Sequence, residues 1–307
     1  MGENGLPDID SLWDYNRPLE TEARFRALLP QAEAAGDQVY ELVLLTQIAR
    51  CHSLTGRYEG AHALLDQVAA ALDDALFEDS APFEDGAPAL VRVRYLLERG
   101  RTLNSSGDPA GALPLFAEAL AVARGAGLDG YAVDAVHMLA IAAPLEERLA
   151  WHQQAVALAE ASSQPQARRW FGALYNNLGW TLHDLGRYEE ALATFEKALA
   201  WRQTQGDAEA TRIARWCVAR TFRSLGRCEA ALAEQQALLA EYESAPAGAL
   251  DEPGYTYEEL GECLLALDRP AEARPYFARA FDVLAQDTWL QRHEPERLAR
   301  LRALGYG

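Results

Sequence analysis

The chain has 307 residues, and half of them are hydrophobic, so it is long enough to bury a large core. Its formal net charge of −18 argues against general nucleic-acid binding, in which a basic face supplies most of the affinity. Apolar runs stay well below the roughly 18 residues of a membrane span, and the amino-terminal residues lack the basic and apolar regions of a secretory signal. We therefore expect neither nucleic-acid nor membrane partners.

The chemistry-bearing residues point away from catalysis and metal binding. The four cysteines lie inside helical patterns without a CxxC pair, which predicts small buried thiols in a reduced, cytoplasmic protein. The HExxH, GxSxG and P-loop motifs are absent from the sequence. We accordingly predict that the protein is not an enzyme and has no catalytic residues, no metal site and no cofactor.

The first segment, residues 1–36, is predicted to cover one end of the molecule. Residues 1–16 indicate an irregular arm that contains Trp13 and Tyr15, and a helix runs from Pro18 to Gly36. The acidic, proline-containing stretch 73–88 is predicted to be a loop and the first site of limited proteolysis. Residues 286–307 indicate a closing helix at the other end.

Between these ends, five stretches share one register. A small residue marks the first helix of each stretch, and a glycine or aspartate seven positions later ends that helix. Small residues let two helices approach closely, and an alanine twelve positions after the mark is the expected facing contact. The marks are Ala49, Gly100, Gly179, Ala219 and Gly261, and the facing residues are Ala61, Ala112, Ala191, Ala231 and Ala273.

A bulky residue usually stands sixteen positions after the mark, and a degenerate unit around Ala140 fills the long gap between Gly100 and Gly179. Agreement of five stretches at several offsets is typical of a repeat protein. The pattern is most complete in residues 172–205, where Gly179, Gly186, Tyr188 and Phe195 all stand in register.

This pattern resembles the tetratricopeptide repeat (TPR) family. The intervals between marks, 40, 42 and 51 residues, exceed the usual 34 or so, as in kinesin light chains and bacterial peptide-sensing regulators. The resemblance implies an all-α fold: a right-handed α-solenoid of about six TPR-like helix pairs, with capping helices at both ends and about fourteen helices in total. The array is predicted over 37–285, with units near 37–73, 87–125, 128–162, 166–205, 207–243 and 252–285.

The resemblance also implies that the first helix of each pair lines a concave groove. Residues three before, one after and four after each mark share one face of that helix. Arginine suits carboxylate or phosphate, asparagine can pair with a peptide backbone, and tryptophan is frequent at binding hot spots. The candidate ligand-binding residues are Arg50, Arg101, Asn104, His137, Asn176, Trp180, His183, Trp216, Arg220, Arg223, Glu258 and Glu262.

Two functions remain open on the sequence. The first is a cytoplasmic interaction scaffold that binds a peptide or protein segment in the groove, with an anionic group near Arg101 and Arg220 beside Trp180. The second is a small-molecule or catalytic site around His137, Asn176 and Arg220. In a third interpretation, Arg220 and Arg223 pair with Glu258 or Glu262 and only stabilise the fold. The oligomeric state stays open.

Overall fold

The computed structural model describes residues 5–73, 87–246 and 250–307. Within these ranges all regular secondary structure is helical, which confirms the predicted all-α fold of TPR-like helix pairs. Most of the predicted acidic loop at 73–88 lies outside the described residues. Among the residues that the structure describes, every helix is too short or too polar to cross a bilayer.

The chain forms two compact units, and the first, unit one, ends at Trp170. A 3-10 helix at Ile9–Leu12 precedes its α-helices. These are α1 (Pro18–Ala35), α2 (Gln38–Leu54), α3 (Tyr58–Asp73), α4 (Ala87–Ser105), α5 (Pro109–Gly125), α6 (Asp129–Ala142), α7 (Leu145–Ala161) and α8 (Pro165–Arg168). Successive helices pack on each other, so α2–α3, α4–α5 and α6–α7 form the helix pairs of this unit.

The second compact unit, unit two, is Phe171–Gly307. Its helices are α9 (Phe171–Asp184), α10 (Tyr188–Gln205), α11 (Ala208–Ser224), α12 (Cys228–Ser244), α13 (Gly254–Ala266), α14 (Pro270–Leu284), α15 (Thr288–His293) and α16 (Pro295–Tyr306). The described ranges contain sixteen α-helices, of which α8 and α15 are short, and the predicted number was about fourteen. The last helix, α16, packs on α14 and closes the end of the unit.

The turns within the pairs have the backbone geometry that the sequence predicts. Gly186, seven positions after Gly179, has a φ of 73°, in the left-handed region that glycine adopts at little cost. The last repeat has Asp268 at the same position with a φ of 57°, which makes it the one non-glycine residue with a positive φ in the described part of the chain. Several helices begin with an aspartate cap; the Asp207 side chain, for example, accepts a hydrogen bond from the Ala210 amide.

The two helices of a pair come closest at the glycine mark. A Cβ atom placed on Gly179 would lie 2.5 Å from a ring carbon of Phe195, sixteen positions later. The same relation joins Gly100 to Phe116 at 2.5 Å and Gly261 to Phe277 at 2.8 Å. The atoms nearest to the glycine mark therefore belong to the phenylalanine ring. The predicted contact with the alanine at position twelve stays a prediction, and Ala112, Ala191 and Ala273 are fully buried.

This packing gives a stability prediction for Gly179→Ala. The added methyl group has no space beside Phe195, so we expect the free energy of unfolding to fall by about 1–3 kcal/mol. Thermal unfolding followed by circular dichroism measures the loss. Adding Phe195→Leu, which removes the ring, should recover part of it.

The matched control is Gly125→Ala at the end of α5, because a Cβ atom there meets no other atom within 4 Å. This substitution should leave the melting temperature unchanged or raise it slightly, since alanine favours helix. Equal losses for Gly125→Ala and Gly179→Ala would contradict the packing described here.

Candidate functional site

The predicted ligand-binding residues divide between the two units. All of them belong to the first helices of the pairs, which are α2, α4 and α6 in unit one and α9, α11 and α13 in unit two. We name the surface that these helices share in each unit the first-helix face. Unit one contains Arg50, Arg101, Asn104 and His137. Unit two contains Asn176, Trp180, His183, Trp216, Arg220, Arg223, Glu258 and Glu262.

In unit one the amino-terminal arm, residues 5–17, lies against this face. The Trp13 indole nitrogen donates a hydrogen bond to the Gln47 side-chain oxygen of α2 at 2.9 Å. Arg94 of α4 donates to the Asp10 carboxylate at 2.8 Å. The Trp13 ring also stacks on Tyr15, with ring centroids 4.6 Å apart. The sequence predicted an irregular arm, but only the structure shows that it covers the first-helix face.

Arg50 and Arg101 are already paired with carboxylates. The Arg101 side chain is 9% exposed and forms ion pairs with Glu98 and Asp134. Burial lowers the pKa of Arg101, but Asp134 and Glu98 outweigh this effect and raise it overall. The Arg50 side-chain nitrogen lies 3.7 Å from the second oxygen of Glu98. The sequence interpretation counted only Glu258 and Glu262 against the arginines, and it was wrong in overlooking these two carboxylates.

His137 lies in the interior of unit one, and Asn104 is half-buried near the end of α4. The His137 ring is 6.2 Å from the His152 ring and 5.5 Å from the Trp170 ring. Burial lowers the pKa of His137, and it lowers the pKa of His152 to about 4. Both imidazoles are therefore neutral at pH 7.

The buried histidines predict a loss of stability in mild acid. In the unfolded chain His152 binds a proton when the pH falls below its ordinary pKa of 6.5. In the folded chain it does so only when the pH falls below about 4. The unfolded state therefore binds more protons between these two values, and stability falls as the pH drops from 6.5 towards 4, by up to about 3 kcal/mol for this residue.

The measurement is the melting temperature from pH 7.5 to pH 4.5 for wild type and for His152→Gln. The variant should show a shallower decline over this range, because one titrating group is gone. His293→Gln makes the same replacement at an exposed histidine and is the control for the substitution itself. Equal slopes for wild type and His152→Gln would contradict the prediction.

In unit two an aromatic row lies on the first-helix face. Trp180 of α9 and Trp216 of α11 have ring centroids 6.1 Å apart, and Trp216 and Tyr255 of α13 have centroids 6.3 Å apart. The Trp216 indole donates to the Tyr255 carbonyl oxygen at 3.3 Å. These distances are typical of attractive aromatic pairs, which fix the positions of the rings before any ligand binds.

Beside this row is a pocket of about 610 Å³, which we name the unit-two pocket. Three predicted residues line it: Asn176, Trp180 and Trp216. The sequence analysis missed the remaining lining residues, which are Glu209, Arg212, Ile213, Cys217, Leu238, Tyr242, Leu250, Asp251, Glu252, Pro253, Gly254, Tyr255 and Thr256. Ile213 and Tyr255 each stand six positions before a register mark, so extending the face by one helical turn would have found them.

The arginines of unit two also have carboxylate partners, but not the predicted ones. Arg223 makes two hydrogen bonds to the buried Glu259 carboxylate, at 2.8 and 2.9 Å. Arg220 lies 3.0 Å from the same carboxylate and donates to the Ser224 hydroxyl at 2.6 Å. His183 is 2.9 Å from that hydroxyl, so it belongs to the same network.

Two arginines of the closing helix α16 form ion pairs with the predicted ligand-binding residues Glu258 and Glu262. Arg297 donates to both oxygens of Glu258, at 2.9 and 2.6 Å. Arg300 pairs with Glu262. The sequence interpretation assigned the two glutamates to a ligand or to Arg220 and Arg223. In the structure they bind Arg297 and Arg300 of the closing helix instead.

We expect the Arg223–Glu259 ion pair to stabilise the folded protein. Arg223→Ala removes two hydrogen bonds from a buried carboxylate, so we expect the free energy of unfolding to fall by about 1–3 kcal/mol. Glu259→Gln should show a similar loss. The double variant should lose less than the sum, because the two residues interact directly.

Arg187→Ala is the matched control, since Arg187 pairs with Glu190 in an exposed position. Its melting temperature should equal that of wild type. Additive losses in the Arg223–Glu259 cycle, measured by thermal or urea unfolding, would contradict a direct interaction.

The possible metal ligands and the cysteines were also located in the structure. Residues 5–73, 87–246 and 250–307 contain no cluster of three or more histidine, cysteine or acidic residues that could hold a metal ion. The four cysteines are free, and burial raises the pKa of the Cys51, Cys217 and Cys263 thiols to about 12. A thiol with so high a pKa is a poor nucleophile at pH 7.

Comparison with known proteins confirms the resemblance seen in the sequence. Residues 170–244 match the sequence profile described as "Tetratricopeptide repeat", so this segment belongs to the TPR family. A search of curated proteins gave no match to the chain.

Solved structures with TPR-type repeats share the fold. A Signal Transduction ATPase with Numerous Domains from Pyrococcus horikoshii, which has a tetratricopeptide repeat sensor, is 14% identical with a TM-score of 0.67. That alignment covers 92% of this chain and 42% of the ATPase. The apo form of RapI is 10% identical with a TM-score of 0.65, and 97% and 82% of the two chains are covered.

The apo form of the quorum sensor NprR from B. thuringiensis is 13% identical with a TM-score of 0.61, and 97% of this chain and 81% of NprR are covered. At these identities the likeness concerns the fold alone.

Proposed function

We propose that the protein is a non-catalytic TPR scaffold that binds an extended peptide or protein segment on the first-helix face of unit two. The arrangement of the arm in unit one supports this proposal. There a segment with little regular structure already lies on the first-helix face, held by a tryptophan, an amide and an arginine–carboxylate pair. In unit two the corresponding helices present an aromatic row and a pocket of about 610 Å³.

The contacts that we assign to the ligand are Asn176, Trp180, Trp216 and Tyr255. Asparagine can both donate to and accept from a peptide backbone, and the aromatic rings offer rigid contact area with little loss of conformational entropy. The pocket has the size of sites that bury side chains of a ligand. The quorum sensor NprR shares the fold, and a ligand-binding role is compatible with it.

The predicted anionic group is not part of this proposal. Arg50, Arg101, Arg220 and Arg223 each pair with a carboxylate of the chain itself, so an incoming anion would have to displace Glu98, Asp134 or Glu259. We assign these arginines to the stability of the repeats.

The alternative small-molecule site is not proposed either, since no observation connects His137 of unit one with Asn176 or Arg220 of unit two. The free cysteines support a proposed cytoplasmic location.

Affinity capture from an extract of the source cell tests the proposal. The bait is wild-type protein or one of three variants: Trp216→Ala, Tyr255→Ala, and the control Trp289→Ala, which changes an exposed tryptophan outside the pocket. A partner of the pocket should be retained by wild type and by the control but reduced about tenfold or more by both pocket variants. Circular dichroism melting shows whether each variant is folded.

Quantitative mass spectrometry of the captured proteins provides the readout. A set of captured proteins that is identical for the folded pocket variants and the control would contradict the proposal.

A further inference from the structure

We propose that the unit-two pocket binds a positively charged side chain, a lysine or arginine of the bound segment. This inference rests on the proposed function and specifies the ligand chemistry of the same site. Three observations support it: unpaired carboxylates around the pocket, aromatic faces inside it, and the orientation of its one lining arginine.

The carboxylates are those of Glu209, Asp251 and Glu252, which are exposed at the edge of the pocket. Within the described part of the chain, none of the three forms an ion pair. This sets them apart from the buried acidic residues of the first helices. Glu98, Asp134, Glu258 and Glu259 each have an arginine partner.

One lining arginine opposes these three carboxylates. The guanidinium carbon of Arg212 is 5.5 Å from the centroid of the Tyr242 ring, so that cation is directed towards a π face. The formal charge of the lining residues is thus three negative charges and one positive charge, or −2. The net charge of −18 adds to this potential and attracts cations to the site.

The aromatic row supplies the second element of cation recognition. A lysine or arginine head group is attracted to the face of a tryptophan or tyrosine ring within about 6 Å of its centroid. Trp180 and Trp216 are half-buried in the pocket, and they offer the faces for a ligand cation. Tyr255 borders them, but the guanidinium carbon of Arg297 already lies 5.3 Å from the centroid of its ring. The aliphatic stem of a lysine or arginine could cover the exposed Ile213 while its head group reaches the carboxylates. An anionic side chain would be repelled by the carboxylates, and a purely apolar side chain would contact the rings and leave the carboxylates without a partner.

A selected peptide provides the probe. A phage-displayed library of random twelve-residue peptides is panned on the wild-type chain, and enriched sequences are synthesised with acetylated and amidated ends to remove terminal charges. Each peptide is also made with its lysine replaced by norleucine, or its arginine by citrulline, which keeps the length and removes the charge. Isothermal titration calorimetry then gives the affinities.

Two triple variants separate local from overall charge. The pocket variant is Glu209→Gln/Asp251→Asn/Glu252→Gln. The control is Asp184→Asn/Glu196→Gln/Glu229→Gln, which changes three exposed acidic residues of unit two outside the pocket and shifts the net charge by the same amount. We expect enriched peptides to contain lysine or arginine, and neutralising either that residue or the pocket carboxylates to weaken binding about tenfold or more. The control should stay close to wild type.

The outcomes distinguish this inference from the proposed function. If peptides lose affinity for Trp216→Ala but bind equally well without their charge, the cation preference is wrong and the binding site stands. If no peptide is enriched, or if binding is insensitive to both Trp216→Ala and Tyr255→Ala, the proposed site is wrong and this inference falls with it. Equal weakening by the pocket and control variants would also overturn the inference, because attraction by the overall charge would then explain binding.

Discussion

The close contact between a glycine and a phenylalanine ring determines how the two helices of a repeat lie against each other. At Gly100, Gly179 and Gly261 the absence of a side chain lets a ring from the second helix sit directly on the backbone of the first. Phe116, Phe195 and Phe277 are almost completely buried as a result. This contact fixes which face of the first helix packs inward, and so it also fixes which residues remain on the first-helix face.

The two repeats with alanine marks show how the contact varies. Ala49 is followed sixteen positions later by Leu65, and both are fully buried. Ala219 is followed by Gln235, which is also fully buried, and its side-chain amide has no hydrogen-bond partner among the described residues. A methyl group on the first helix leaves less room for a ring, so a narrower side chain takes its place. The buried amide lowers the stability of that pair.

Charge pairing between successive repeats is the second constraint on the first-helix faces. In an acidic chain, arginines that bridge neighbouring first helices bring carboxylates into the interior without leaving them unpaired. Arg101 joins α4 to Asp134 of α6, and Arg223 joins α11 to Glu259 of α13. Arg297 extends the same principle to the closing helix. Glu209, Asp251 and Glu252 form no such pair among the described residues, and we assign them to a ligand because they lie at the pocket beside the aromatic row.

The sequence by itself determined the helical repeats, their number and their turns, because these depend on spacing along one chain. The positions of Gly179, Gly186 and Phe195 are local constraints on two consecutive helices, and any structure with this packing must satisfy them. The sequence also assigned Asn176 and Trp180 to one face of α9 and Trp216 to the equivalent face of α11, and all three line the unit-two pocket. The sequence could not show which carboxylates the arginines bind. Glu258 and Glu259 are adjacent in sequence but point in different directions on their helix, so Arg223 reaches one and Arg297 the other.

Only the tertiary structure decided that the arm covers the first-helix face of unit one and that a pocket forms beside the aromatic row of unit two. The arm has no periodic pattern, so its location depends on contacts with helices far along the chain, such as Asp10 with Arg94. The pocket combines α9, α11, α12, α13 and the segment Leu250–Pro253, which are brought together by packing between repeats. Contacts of this kind depend on the three-dimensional arrangement of several repeats, and spacing within one repeat does not encode them.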